Sequence, residues 1–142
     1  MKLSKVISGG QSGADRAGLE CAKSLGLMTG GTAPKGYRTE KGPDPSLKEF
    51  GLDESIDSSY VPRTRANVRN SDATLWFGNT NSPGYYCTLK ATKDWGKPFI
   101  VNPTDLRDIA ENYTTINIAG NRASTNPSVI ELVQKAFSTL EL

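Results

Sequence analysis

The sequence predicts an α/β fold in which a mainly parallel sheet lies between two layers of helices. Short apolar segments rich in β-branched residues alternate with segments of helical periodicity, and this alternation is typical of parallel sheets covered on both faces. The first apolar segment ends at Gly9-Gly10, and a helical pattern begins at Ala14, as in the first half of a βαβ unit. Because domains usually contain about 100–150 residues, residues 1–142 are predicted to form a single domain.

The first half of the chain supplies few regular elements. Residues 5–8 form the first predicted strand, and small and apolar residues at one-turn spacings predict a helix over residues 14–25. A short strand is expected near residues 32–33. The stretch that follows, up to about residue 59, is rich in glycine, proline and charge, which indicates a long surface loop.

The second half alternates regularly. In chain order it is predicted to contain a helix at 59–70, a strand at 73–77, a helix from the turn at 81–84 to residue 95, a strand at 98–101, a helix at 105–111, a strand at 115–119 and a last helix opening at 126–128. The complete pattern predicts a Rossmann-like three-layer sandwich.

The composition favours a binding protein over an enzyme. Histidine is absent, which removes the commonest general base and the commonest zinc ligand. Cys21 and Cys87 show no metal-type spacing, so neither a metal site nor a disulfide framework is predicted. Any catalysis would depend on carboxylates, lysine, tyrosine, cysteine or backbone dipoles.

The charge balance and hydropathy argue against nucleic acids and membranes as partners. Seventeen basic and fifteen acidic residues give a net charge of +2, without a basic run of the kind found in nucleic-acid-binding proteins. No apolar stretch approaches the roughly 20 residues that span a bilayer, and the N-terminus has no apolar stretch typical of a signal peptide. We therefore expect a cytoplasmic protein.

The turn after the first strand is a candidate phosphate-binding loop. Ligands of open parallel sheets bind beyond the carboxyl ends of the strands, and glycines there let the backbone approach a ligand. A helix N-terminus that follows suits an anion. The turn lacks the lysine of a P-loop, and its glycines are equally explained by a tight turn alone. The candidate residues are Gly9, Gly10, Gln11, Ser12, Gly13, Asp15 and Arg16.

Polar residues in three other segments are expected at the same end of the sheet. Lys35 follows the second predicted strand, and Arg122 follows the last one. Arg63 and Asn67 are four residues apart and share one face of a predicted helix. Together these residues indicate an anion pocket, and the alternative interpretation is a rim of solvated charges.

These segments together resemble a family of molybdenum cofactor carriers, a circularly permuted branch of the nucleotide-binding superfamily that includes lysine-decarboxylase-like proteins. The resemblance lies in four stretches that occur in family order, at residues 7–17, 30–36, 63–72 and 119–124. It implies a Rossmann-like homo-oligomer that binds a phosphorylated pterin at the strand ends. It also implies relatives that cleave the N-glycosidic bond of nucleoside monophosphates.

The chain departs from the family at its second glycine-rich turn. Residues 81–88 contain Gly84 and Thr88, which we include in the predicted site, and also Tyr85 and Tyr86. The two tyrosines would crowd a phosphate or stack on an aromatic ring of the ligand. The glutamate of the hydrolytic relatives is also missing, since residues 90–92 are lysine, alanine and threonine.

The leading hypothesis is a binding or carrier protein for a small phosphorylated heterocycle, either molybdenum cofactor as cargo or a nucleotide-like metabolite. One alternative is an N-glycosidic hydrolase of nucleotides, for which Asp15 and Asp72 are the only acids considered. Another is an oligomer that sequesters a nucleotide signal.

Overall fold

The computed structural model, which describes residues 1–141, shows a six-stranded sheet between helical layers. The sheet strands are β1 (Lys5–Ser8), β2 (Met28–Ala33), β5 (Leu52–Glu54), β6 (Ala73–Phe77), β7 (Phe99–Val101) and β8 (Thr115–Gly120), and β3 (Arg38–Thr39) and β4 (Gly42–Pro43) form a separate antiparallel hairpin. The order in the sheet is β5-β2-β1-β8-β6-β7, with every neighbouring pair parallel. The predicted fold class is confirmed.

Within residues 1–141, five α-helices cover the sheet. They are α1 (Ala14–Ser24), α2 (Tyr60–Arg69), α3 (Pro83–Trp95), α4 (Arg107–Asn112) and α5 (Val129–Ser138). Helices α1 and α5 pack together, and α2 and α3 pack together. The main core lies where the first pair meets the sheet, with Val6, Leu75, Ile116 and Phe137 buried there.

The strand order places a switch point at the middle of the sheet. From β1 the chain continues through α1 to β2, towards one edge, whereas from β6 it continues through α3 to β7, towards the other edge. Strand β8 lies between β1 and β6. Such divergence opens a crevice at the carboxyl ends of the strands, where open α/β sheets bind their ligands.

The prediction of a long surface loop up to residue 59 is wrong. This segment contains the β3–β4 hairpin, a 3-10 helix (Pro45–Phe50) and the edge strand β5, which pairs with β2. Leu47, Phe50 and Leu52 are buried in a second small core. A strand of three residues is too short for a periodic pattern, and its partner is distant in the sequence, so local composition could not predict it.

Candidate functional site

A cavity of about 290 Å³ opens at the carboxyl ends of the central strands. Its walls come from the loops after β1 and β8, from Trp76 of β6, from one face of α2 and from the first turns of α3. Eight of the predicted site residues line it: Gly9, Gln11, Asp15, Arg63, Asn67, Gly84, Thr88 and Arg122.

The other predicted site residues lie elsewhere. Gly10, Ser12 and Arg16 border a separate open hollow between α1 and the β3–β4 hairpin. Gly13 packs against the loop after β8. Lys35 is exposed in a 3-10 turn after β2 and belongs to the lining of neither space.

The glycines of the first turn are required by contacts within the protein. A Cβ on Gly9 would lie 1.8 Å from Nη1 of Arg63, so Gly9 makes room for that guanidinium group. At Gly13, where φ is +100°, a Cβ would lie 2.5 Å from the carbonyl oxygen of Asn121. The tight-packing interpretation therefore accounts for both residues without a ligand.

Asp15 and Arg63 form a buried ion pair in the wall of the cavity. Oδ2 of Asp15 accepts hydrogen bonds from Nη1 of Arg63 at 3.4 Å and from the backbone N–H of Gln11 at 3.3 Å. Burial raises the pKa of the Asp15 carboxyl, and the charges of Arg63 and Arg122 and the N–H of Gln11 act in the opposite direction. The pair thus consists of a fixed cation and a carboxylate that is costly to keep ionised.

The side chains that line the cavity carry more positive than negative charge. Its ionisable lining side chains, within the described residues, are Arg63, Arg122 and Asp15, which gives +1 when the carboxyl is ionised and +2 when it is protonated. Arg63 is buried, whereas Arg122 is exposed at the rim. The first turn of α3, at Ser82 to Gly84, adds the partial positive charge of a helix N-terminus.

Two predicted site residues, Asn67 and Thr88, make hydrogen bonds within the protein. Oδ1 of Asn67 accepts from the N–H of Thr32 at 2.8 Å, and its Nδ2 donates to the carbonyl oxygen of the same residue at 3.0 Å. Asn67 therefore joins α2 to β2. The hydroxyl of Thr88 donates to the carbonyl oxygen of Gly84 at 2.9 Å. Both side chains shape the wall through these internal bonds.

Tyr85 and Tyr86 do not line the cavity, contrary to the sequence-based expectation. The ring of Tyr85 meets that of Trp76 edge-on, with 5.4 Å between centroids, and also contacts Phe99. Tyr86 packs against Tyr85 and is largely exposed. Among the described lining residues the aromatic one is Trp76, and Tyr85 packs against it edge-on.

Trp76, Asn117 and Asn121 were missed among the lining residues. Trp76 and Asn117 lie within strands that resemble plain core segments. Asn117 could have been recognised from the sequence as a candidate site residue, because an amide inside an apolar strand needs a polar partner. Its Nδ2 donates to Oγ1 of Thr74 at 3.3 Å. Asn121 directly follows β8, and its Oδ1 accepts from the N–H of Asn79 at 2.7 Å.

Asp72, the second acid considered for hydrolysis, lies at the opposite end of the sheet. Its carboxylate accepts hydrogen bonds from the N–H groups of Thr114 and Thr115, where β8 begins. Asp15 is thus the one acid among the described lining residues. Within residues 1–141, no three histidine, cysteine or acidic side chains are grouped to hold a metal ion, and none of the helices could cross a membrane.

The fold and the site define the class of the protein: a Rossmann-like α/β domain with a cationic cavity at the carboxyl ends of its parallel strands. The model of the circularly permuted YpsA SLOG family matches residues 6–140, so the chain belongs to this family. The family resemblance inferred from the four sequence stretches is therefore confirmed.

A solved structure extends the comparison. The crystal structure of a protein from Syntrophus aciditrophicus SB, described as a "Putative molybdenum carrier protein", is similar over 99% of this chain and 96% of that one. The two chains are 29% identical, and the TM-score is 0.84. No curated protein matches the chain.

Proposed function

We propose that the chain binds a small phosphorylated heterocycle in the cavity and carries it without chemical change. The observation that supports this most is the presence of two arginines, with one buried carboxyl, in the lining of the cavity at the switch point of the sheet. Two guanidinium groups face one carboxyl there, and burial disfavours the ionised form of that carboxyl. An anion at this place would gain charge-assisted hydrogen bonds, which are stronger than neutral ones.

The charges divide into a fixed inner pair and an outer cation. Asp15 partly neutralises the charge of Arg63, so this pair contributes hydrogen-bonding groups to the cavity more than net charge. Arg122 brings a second guanidinium group to the lining from an exposed position, and the N-terminus of α3 also lines the cavity. We therefore expect the phosphate near Arg122 and the heterocycle deeper in the cavity.

The size and the wall chemistry suit a single heterocycle. A volume of about 290 Å³ lies at the lower limit of ligand pockets, which span about 300–1,000 Å³, and is small for a dinucleotide. Trp76 offers an apolar aromatic surface, and the buried amides beside it offer polar edges. The similar Syntrophus protein is described as a molybdenum carrier, which agrees with molybdenum cofactor as one cargo, and a nucleotide-like metabolite is likewise a phosphorylated heterocycle.

A carrier role agrees with the acid–base chemistry of the cavity. Glycosidic hydrolysis needs a carboxyl group placed to activate water or to assist the leaving group. The lining offers Asp15 for this purpose, and that side chain is engaged by Arg63 and by a backbone N–H. Incubation with nucleoside monophosphates should therefore release no free base, and release of base that disappears in Asp15→Asn would overturn this part of the proposal.

The ligand can be identified by native purification, denaturation and mass spectrometry of the released small molecules. We expect a phosphorylated heterocycle from the wild type and far less from Arg122→Ala. Arg69→Ala is the matched control, because it removes the same charge from an exposed position of α2. A pterin would indicate molybdenum cofactor as cargo, and a nucleotide would favour the sequestering role.

Two results would contradict the proposal: release of no such molecule, or equal release from wild type and Arg122→Ala. The expected homo-oligomer is a separate part of the proposal. It is tested by light scattering of the same preparation, and a monomeric mass would refute it.

A further inference from the structure

Glu40 lies at the tip of the β3–β4 hairpin and joins two loops that are distant in the sequence. Its carboxylate accepts hydrogen bonds from the hydroxyl groups of Ser12 and Ser124. It also accepts one from the backbone N–H of Ser124, with 3.4 Å between nitrogen and oxygen. Ser12 belongs to the loop after β1, and Ser124 belongs to the loop after β8.

These two loops form one wall of the cavity. Ser12 directly follows Gln11, which lines the cavity. Ser124 lies between Arg122 and Thr125, which also line it. Glu40 itself is not among the lining residues, so it contacts the wall from outside.

The hairpin holds the same wall at a second point. Nε2 of Gln11 donates a hydrogen bond to the carbonyl oxygen of Arg38, the first residue of β3, at 2.9 Å. The two loops also meet directly, because the N–H of Ala123 donates to the carbonyl oxygen of Ser12 at 3.3 Å. A second backbone bond joins them, from the N–H of Ala14 to the carbonyl oxygen of Asn121 at 3.2 Å. Glu40 adds to these contacts a carboxylate bridge between the two loops.

The charge of Glu40 strengthens the arrangement. The hydrogen bonds from Ser12 and Ser124, together with the nearby charge of Arg122, hold the pKa of the Glu40 carboxyl below its ordinary value. The group is therefore ionised at neutral pH and accepts charge-assisted hydrogen bonds.

We propose that Glu40 is a positioning residue, which holds the loops after β1 and β8 in the arrangement that binds ligand, without touching the ligand. This inference rests on the proposed function of the cavity. It predicts that Glu40 lowers the ordering cost of binding, because loops that are already in place need not be ordered by the ligand.

The first test is calorimetric titration of adenosine 5′-monophosphate into wild type, Glu40→Ala and Glu49→Ala. Glu49→Ala is the matched control, since it removes an exposed acid from the same segment. We expect binding about tenfold weaker in Glu40→Ala. This corresponds to a variant in which about one molecule in ten has the two loops in the arrangement that binds ligand. Glu49→Ala should bind like the wild type.

A double-mutant cycle separates positioning from a general structural effect. Ser124→Ala removes one hydroxyl that Glu40 engages, outside the cavity lining. If Glu40 acts through this loop, Glu40→Ala should weaken binding much less in the Ser124→Ala background than in the wild type. Independent, additive losses would overturn the proposal.

Hydrogen exchange of the ligand-free chain supplies a readout that needs no ligand. Peptides containing residues 11–13 and 122–125 should exchange faster in Glu40→Ala than in wild type or Glu49→Ala. Unchanged exchange, or nucleotide affinity equal to that of the wild type, would overturn the inference. Tighter nucleotide binding in Glu40→Ala would also overturn the inference, because the Glu40 carboxylate would then compete with the ligand's anionic group for the same position.

The exchange measurement also distinguishes this inference from the proposed function. If the wild type bound no nucleotide while exchange rose as expected in Glu40→Ala, the nucleotide-like ligand of the proposed function would be wrong, and the role of Glu40 in holding the loops would stand.

Discussion

Replacing Gly9 by alanine places a methyl group where the Arg63 guanidinium now lies. The added Cβ would be 1.8 Å from Nη1 and 2.8 Å from Cζ of Arg63, and 3.0 Å from Oδ2 of Asp15. Gly9 has no positive φ, so alanine itself meets no backbone strain there. The substitution therefore acts on one feature, the position of Arg63 against Asp15.

The magnitude follows from what must move. Removing one partner of a buried ion pair costs about 3–5 kcal/mol. In Gly9→Ala both charges remain and can turn towards the open cavity, so the loss should be smaller. Overpacking of this kind costs about 1–3 kcal/mol. For a chain of this size, about 4 °C of Tm is lost per kcal/mol, which predicts a fall of roughly 4–12 °C.

The assay is thermal unfolding followed by circular dichroism, with Gly84→Ala as the matched control. Gly84 also lines the cavity, but its Cβ would meet only Cη2 of Trp76, at an ordinary 3.6 Å. Its Tm should be unchanged or slightly higher. A wild-type Tm for Gly9→Ala, with Arg63 still beside Asp15 in the crystal structure of the variant, would refute the reasoning.

Three further substitutions test the packing of the residues in and next to the cavity wall. Because burial raises the pKa of Asp15 above its ordinary 3.8, the stability that its protonated form contributes is complete below 3.8 and is lost as the pH rises through the folded-state pKa. Urea unfolding at a series of pH values across this range should show that the wild type loses stability relative to Asp15→Asn as the pH rises. A difference in the free energy of unfolding that stays constant with pH would contradict this prediction. Asn67→Ala leaves the N–H and carbonyl of Thr32 without their side-chain partner, so the free energy of unfolding measured with urea should fall by about 1–3 kcal/mol. An unchanged free energy of unfolding would mean that the Asn67 amide is dispensable. In Gly13→Ala the new Cβ would overlap the backbone of Asn121, and the residue would keep a φ of +100° that alanine disfavours, so the Tm should fall more than in Gly9→Ala. An equal or smaller fall of the Tm in thermal unfolding would contradict the packing explanation.

The fold was predictable because each central strand carries its own signal. A buried run such as residues 73–77, followed by a turn and a helical period, identifies a βα unit from local sequence. Strand β5 lacks such a signal, since its three residues become a strand only by pairing with β2. The burial of Leu47 and Phe50 likewise depends on contacts with residues elsewhere in the chain.

The location of the site was more predictable than the roles of its residues. Arg63, on a predicted helix, and Arg122, after a predicted strand, were expected at the same end of the sheet, and both line the cavity. Gly9 was expected to admit a ligand, whereas its free space is filled by Arg63, a contact that no local pattern encodes. Lys35 follows a strand as predicted, but the direction of its side chain depends on the 3-10 turn in which it lies.

The central claim is that the cavity between the loops after β1 and β8 and the start of α3 holds the ligand. The most direct measurement is a crystal structure of the chain with the molecule that co-purifies with it. We expect the heterocycle beside Trp76 and phosphate oxygens within about 3 Å of a guanidinium nitrogen of Arg122 or Arg63. A ligand bound in the hollow between α1 and the hairpin, or on an outer surface with the cavity empty, would contradict the account.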